Sequence, residues 1–257
     1  MTDSSRGPSS ILVDVELPDP APLSPALIEV LSSLRVVLLG WFAVPEQTSP
    51  AQARDQFGEE SQETLDAIAR RFKEAGAKGT TRLVFTGNKL DTLARISTEE
   101  DCDAVLVPGA MDDLRRVLVP LRGLENVQQI APFVADLCRD ATATVTLLHV
   151  VEEEESTAVS RENVLRPAAD RMRAHGLDTS LLELDTIASG DPADTIVDRA
   201  AAYDLVILGE TKPSVRAILF GTVPERIVTS TDTPVIIVRH ENEAVASAEQ
   251  SMETGSS

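Results

Sequence analysis

The chain repeats itself. "ARRFKEAG" (69–76) returns 100 residues later as "ADRMRAHG" (169–176), "GNKLDTL" (87–93) as "GDPADTI" (190–196), and "DAVLVPG" (103–109) as "DLVILG" (204–209). Order and spacing are kept through all three pairs, the mark of one structural unit built twice. Each unit must be of the α/β kind. Apolar runs of strand length fall at 11–15, 35–39, 82–85, 104–107, 116–120, 144–151, 180–184, 205–208 and 235–238, and most segments between them carry helical periodicity. In 64–75, "TLDAIARRFKEA", the residues Leu65, Ile68, Ala69 and Phe72 share one face. Strands alternating with helices predict a parallel sheet covered on both sides.

The copies differ at their ends. The second runs on past "DLVILG" through "ETKPSVRAILFGTVPERI" into a final strand in "DTPVIIVRH"; in the first, only "AMDDL" (110–114) separates Gly109 from the next strand. That leaves no room for a loop, a helix and a further strand. The expected division is a polar tail over 1–10, a truncated four-stranded unit over 11–113, a complete five-stranded unit over 114–240, and an acidic tail over 241–257. Both tails have too little apolar surface to fold alone.

Charge narrows the function. There are 23 lysines and arginines against 42 aspartates and glutamates, a formal net charge of −19, and only four of the cations are lysines: Lys73, Lys78, Lys89 and Lys212. Such a surface suits concentrated salt, where screening within roughly 3 Å at 1 M removes most self-repulsion. It argues against non-specific binding to nucleic acid or anionic membranes. No apolar stretch reaches membrane-spanning length and no signal segment opens the chain, so a cytoplasmic, soluble protein is expected. Cys102 and Cys138 lack metal-site or redox spacing and read as core residues.

The stretch 204–227, "DLVILGETKPSVRAILFGTVPERI", reads as buried strand, loop and helix opening, the arrangement that holds phosphates in parallel sheets. A phosphate oxygen needs close backbone N–H groups, and glycine permits that approach. Lys212 obstructs it, and Pro213 has no N–H to offer. Gly221-Thr222 still opens a helix with free amides, and Lys212, Arg216 and Arg122 supply positive charge.

The second copy resembles the universal stress protein family over about 114–240, in "RRVLVPLRGLENVQQIAPFVADLC", "VTLLHVVE", "GDPADTIVDRA", "DLVILG" and above all "FGTVPERIVTSTDTPVIIVR". The first copy resembles it more weakly, and the whole is similar to a tandem member of haloarchaeal type. The resemblance implies two Rossmann-like, adenine nucleotide alpha hydrolase-like parallel-sheet units, no enzymatic activity, and a regulatory or protective binding role. The one cofactor it suggests is ATP or another adenine nucleotide. In the family's ATP-binding members an aspartate follows the first strand's "VP"; here Arg122 stands there. The family's phosphate loop reads G-x2-G-x9-G-[S/T]. Gly209 matches its first glycine, Lys212 stands where the second belongs, and Gly221-Thr222 resembles the closing pair after a loop one residue short. The expected lining of the crevice is Leu121, Arg122, Val150, Gly190, Gly209, Lys212, Gly221 and Thr222, a degenerate nucleotide or anion site; the alternative is a genuine adenine-nucleotide-binding switch. Family members often pair through the last strand, so 234–239 is expected to be an exposed edge that forms a homodimer.

The remaining candidates read as structural. His149 is expected to be a hydrogen-bonded core or crevice residue, His175 to sit at a helix end, and His240 to begin the tail. "EEEE" (152–155) reads as a solvated loop and "PDPAP" (18–22) as a rigid connector. Trp41 is expected to pack between the two units.

Overall fold

The computed structural model describes residues 7–45, 47–139, 141–152, 156–210, 226–227 and 230–239. Its strands are β1 (Ser10–Leu17), β2 (Arg35–Ala43), β3 (Lys78–Thr86), β4 (Ala104–Val107), β5 (Arg116–Pro120), β6 (Thr144–Val151), β7 (Leu182–Ala188), β8 (Leu205–Gly209) and β9 (Val235–Val238). They form one sheet in the order β3-β2-β1-β4-β9-β8-β5-β6-β7. Every neighbouring pair is parallel except β4 and β9, which run antiparallel with Ala104 opposite Val238 and Val107 opposite Val235. The strands of residues 10–107 therefore form one block, those of 116–238 another, and the β4–β9 ladder joins them.

Helices cover both faces. α1 (Pro25–Leu31), α2 (Pro50–Glu74), α4 (Val127–Leu137) and α6 (Arg166–Ala174) bury their apolar stripes on one side, through Leu27, Leu65, Phe133 and Met172 among others. α3 (Lys89–Glu99) and α7 (Pro192–Ala200) cover the other through Leu93, Ile96 and Ile196. With both faces buried the central strands are apolar at nearly every position, which is why they stand out as runs in the sequence. The sheet's two outer strands differ. β3 begins with Lys78, Gly79, Thr80 and Thr81, all exposed, and extends well beyond the expected 82–85. β7 starts two residues later than expected, because Asp178 accepts a hydrogen bond from the Ser180 amide and winds 179–181 into a short 3-10 turn.

Equivalent positions of the two blocks make equivalent bonds. Asn88 caps α3 by accepting from the Asp91 amide, and Asp191 caps α7 by accepting from the Asp194 amide, both at 3.1 Å. The Asn88 amide donates to the Thr86 hydroxyl as the Asp191 amide donates to Ser189. Thr92 and Thr195 each donate back to the carbonyl of their cap. Asp103 takes the amide of Ser10 where β1 starts, and Asp204 that of Arg116 where β5 starts. Gly76 and Gly176 close α2 and α6 with positive φ, and behind them Ala77 and Leu177 donate to Phe72 and Met172 in a common helix-stop geometry.

The joint corrects one expectation. Strand 234–239 is no exposed edge for a second copy, since β9 pairs with β8 on one side and β4 on the other, and Val235, Ile236, Ile237 and Val238 are all buried. The first block supplies the covering strand that a homodimer partner was expected to provide. Backbone contact is close where the chain leaves the ladder. The Ala110 amide donates to Asp232 O at 2.8 Å, and a Cβ on Gly109 would lie 2.4 Å from that same oxygen, so only glycine fits there. Arg239 then crosses the joint, donating to Ser97 O in the last turn of α3 at 2.8 Å and to Cys102 O just beyond that helix at 3.0 Å.

Two further expectations need adjusting. Ser9 and Ser10, assigned to the N-terminal tail, are buried: Ser9 donates through its amide and hydroxyl to Asp136 of α4, and Ser10 opens β1. Trp41 does not pack between the blocks. It lies near the carboxyl end of β2, two strands from β4, beneath the Lys89 ammonium at 4.8 Å, and Lys89 is bound to Asp14 at 2.7 Å, so the ring lines the first block's own crevice. The second tail, 241–257, lies outside the described residues. Both cysteines are buried as expected, and desolvation pushes each thiol up to about 12.

Replacing Arg239 with methionine keeps the side-chain stem but removes its bonds to the Ser97 and Cys102 carbonyls. We expect a stability loss of about 2–3 kcal/mol, since hydrogen bonds to a charged donor contribute about 1.5–3 kcal/mol each. An unchanged urea midpoint would show that the joint does not depend on this residue.

Candidate functional site

In an open parallel sheet, ligands are met beyond the carboxyl ends of the strands. Leu121 follows β5, Val150 is near the end of β6, Gly190 lies just past β7, and Gly209 ends β8. Because β8, β5, β6 and β7 are parallel neighbours, these four residues and Arg122 lie along one crest. Lys212, Gly221, Thr222, Pro213, Arg216 and His240 lie outside the described residues, as do 153–155 of the acidic run. The structure therefore brings together the strand-borne half of the expected lining.

The centre of the crest is tied down by hydrogen bonds. The Leu121 amide donates to Leu148 O at 2.7 Å, which carries β5's pairing with β6 one residue past the strand. His149 Nδ1 meets Leu121 O at 2.6 Å. A carbonyl only accepts, so Nδ1 carries the proton and the ring is held by the crest residue it touches. Leu121 and His149 are both buried, Val150 is half-buried, and Arg122 points into solvent.

Gly209 is crowded. A Cβ placed on it would lie 2.8 Å from Asn126 Cβ and 3.0 Å from Ile130 Cδ1. Asn126 stands where α4 begins, yet its side chain caps nothing in that helix. Its Nδ2 donates instead to Glu210 O at 2.7 Å, crossing from the α4 entrance to the end of β8. The space above the first glycine of the loop is thus occupied by the protein's own amide. Asn126 reads in sequence as an ordinary helix cap before an amphipathic run, and only the β5–β8 pairing shows what it reaches. Glu210, one residue beyond Gly209, is a buried carboxylate that the sequence reading also passed over.

At the other end of the crest, Gly190 sits in the exposed turn Ser189–Gly190–Asp191, where Asp191 caps α7. Arg226 bonds to Asp191 in that turn at 3.2 Å and also to Asp194 in the first turn of α7. The Asp194 amide and then the Arg226 guanidinium hold the Asp191 carboxyl below the usual aspartate range. Among the described residues no three His, Cys, Asp or Glu side chains gather in a way that would hold a metal ion, and no helix is long and apolar enough to cross a membrane.

Residues 113–239 match the universal stress protein family. The match covers β5 to β9 and their helices, the block that carries the crest; β1 to β4 fall outside it. No curated protein matches the chain. Among solved structures, a universal stress protein from Archaeoglobus fulgidus aligns over 91% of this chain and 97% of its own, with 16% identity and a TM-score of 0.61. A putative universal stress protein from Pseudomonas aeruginosa aligns over 90% of this chain and 93% of its own, with 15% identity and a TM-score of 0.53. At these identities the likeness is one of fold. A shorter universal stress protein from Archaeoglobus fulgidus, solved in complex with dAMP, is 20% identical and aligns over 50% of this chain and 100% of its own, with a TM-score of 0.40.

Two outcomes test this geometry. Asp191 has a depressed folded-state pKa, so its contribution is present above the unfolded value of about 3.9 and is lost as pH falls through the folded one. Urea unfolding at pH 7 and in acid should show a smaller acid-side loss for Asp191→Asn, which keeps the cap but never titrates. Gly209→Ala should destabilise by about 1–3 kcal/mol through overpacking. Its cost combined with Asn126→Gly, which removes the nearest clashing Cβ, should be less than the sum of the single changes.

Proposed function

We propose that this chain is a tandem universal stress protein-like binding module with a regulatory or protective role and no enzymatic activity, whose second unit carries a degenerate nucleotide site. The reading of two copies of one unit rests on the recurring caps, helix stops and aspartate-to-amide bonds at matched positions of the two blocks. On this reading the first unit is the copy without a fifth strand, and the β4–β9 ladder stands in for the contact between two separate copies.

The observation that carries the degenerate site is the occupation of Gly209 by Asn126. A phosphate held at this loop would need the backbone amides beyond β8, and the Asn126 side chain lies on the glycine that should admit it. Two features of the sequence point the same way: Arg122 in place of the adenine-holding aspartate, and Lys212 in place of the second glycine. The acidic, lysine-poor surface fits a protein that works in concentrated salt.

The test is thermal unfolding in molar KCl with ATP, ADP, AMP or cyclic AMP. A ligand at 100 times its Kd stabilises by about 2.7 kcal/mol, a readable rise in Tm. We expect none of the four to raise Tm in the natural sequence, and expect the triple change Arg122→Asp, Asn126→Gly, Lys212→Gly to create a response. A clear rise with the unaltered protein would establish the rival reading, an adenine-nucleotide-binding switch.

A further inference from the structure

The helix that follows β6 is broken in register. It begins as α5 (Thr157–Ser160), passes through a π turn (Arg161–Leu165) and continues as α6. The π turn is closed by the Arg166 amide donating to Arg161 O, five residues back. Pro167 explains its position: lacking an N–H, it cannot continue the i→i−4 ladder, and the extra residue is absorbed in the turn before it.

The irregularity changes which side chains share a face. In an unbroken α-helix, residues 161 and 166 would point about 140° apart. The i→i+5 bond instead stacks Arg166 one turn above Arg161. Arg173 follows seven residues later, within about 20° of Arg166 on a regular helix. The three arginines line one cavity of about 200 Å³ together with Ala169, Asp170 and Leu184.

These guanidinium groups are poorly neutralised for a chain in which acids outnumber bases 42 to 23. Arg161 donates to Leu184 O at 2.7 Å and has no carboxylate partner among the described residues. Among the described residues, Arg166 pairs only with Glu162 at 2.8 Å and Arg173 only with Asp170 at 2.6 Å, both through exposed side chains. Exposed pairs of this kind contribute little and exchange readily. The cavity lies beside β7, near its amino-terminal half, away from the crest. Arg161, Arg173 and Leu184 also line a wider groove of about 550 Å³ that continues around the strand edge to Arg199 and Tyr203.

The first block has the same helix without the device. At the 100-residue offset of "ARRFKEAG" and "ADRMRAHG", Asp66 and Lys73 stand for Arg166 and Arg173, and Arg161, before the extra residue of the π turn, falls against Gln62, on a helix that runs unbroken from Pro50 to Glu74. Covering the sheet therefore requires neither the arginines nor the π turn. We propose that Arg161, Arg166 and Arg173 form a binding site for a phosphate-class oxyanion, either free phosphate or the phosphate group of a small monoester whose remainder lies in the wider groove. Planar guanidinium forks bind tetrahedral oxyanions bidentately, which suits three converging arginines. The site is separate from the crest and stands whether or not a nucleotide binds there.

Calorimetric titration of the full chain with inorganic phosphate, and separately with phosphoserine, at ionic strength matched with KCl, tests the site. Arg161→Ala and Arg166→Ala should each weaken binding by about tenfold or more, as expected for loss of a charge-assisted fork. Arg70→Ala, an exposed arginine of α2, should leave it unchanged. Pro167→Ala keeps every charge but lets the helix regularise, and should also weaken binding. Tighter binding of phosphoserine than of phosphate identifies a monoester; equal binding identifies free phosphate. The proposal is overturned if neither ligand binds up to about 10 mM, or if the arginine variants, shown to be folded by circular dichroism, bind as the natural sequence does.

Discussion

The antiparallel pairing of β4 with β9 is the contact on which the architecture rests. Four residues from each strand place Ala104, Val105, Leu106 and Val107 against Val235, Ile236, Ile237 and Val238, and without it the sheet would fall into two smaller ones, each with a bare apolar edge. Full burial of a Val, Leu or Ile side chain contributes about 1.5–3 kcal/mol, and seven of the eight residues are of those types. The ladder also closes the backbone hydrogen-bonding groups of both strands, which would otherwise invite another chain. Polar contacts reinforce it from both sides, with Ser9 on Asp136 and Arg239 on the end of α3.

Fixing the two blocks back to back leaves each crest to its own residues. In the first, Lys89, Trp41 and Asp14 occupy one another. In the second, Asn126 lies on Gly209 while Arg226 engages the turn that carries Gly190. In both, the protein's own side chains occupy space beyond the carboxyl ends of the strands. Fold alone does not assign an activity; on the proposed reading, the second unit's crest has moved away from holding a nucleotide. The arginine cavity lies elsewhere, on a helix surface that the shared framework does not constrain.

Much of the fold was legible because its interior strands are buried on both faces and so appear as uninterrupted apolar runs. Four of the nine, 104–107, 116–120, 144–151 and 235–238, have the boundaries the runs suggest. The outer strands were less legible for the opposite reason. With a neighbour on one side only, β3 tolerates Lys78, Thr80 and Thr81, and its amino-terminal half has no apolar signature. The joint was not legible at all, because no local pattern tells an apolar edge which distant edge will cover it. Trp41 misled for a related reason. A lone large ring suggested an interface, whereas the interface is made of aliphatic, mostly β-branched side chains that pack on a pleated surface. At the crest, Gly209 and Leu121 were found by strand ends, but Asn126 looked like a helix cap until the β8 end was brought against it.

β9 is also the last of the described strands to be synthesised. β4 ends at Val107 and β9 begins at Val235, a gap of 128 residues that translation covers in roughly 6–26 s at about 5–20 residues per second. Throughout that interval the amino-terminal block has left the ribosome with one flank of its sheet open, and nothing in its own sequence can close it. A nascent chain of this protein thus depends on β9 to finish a sheet begun by β1, and any stop codon ahead of Val235 would release a product with that flank permanently unpaired.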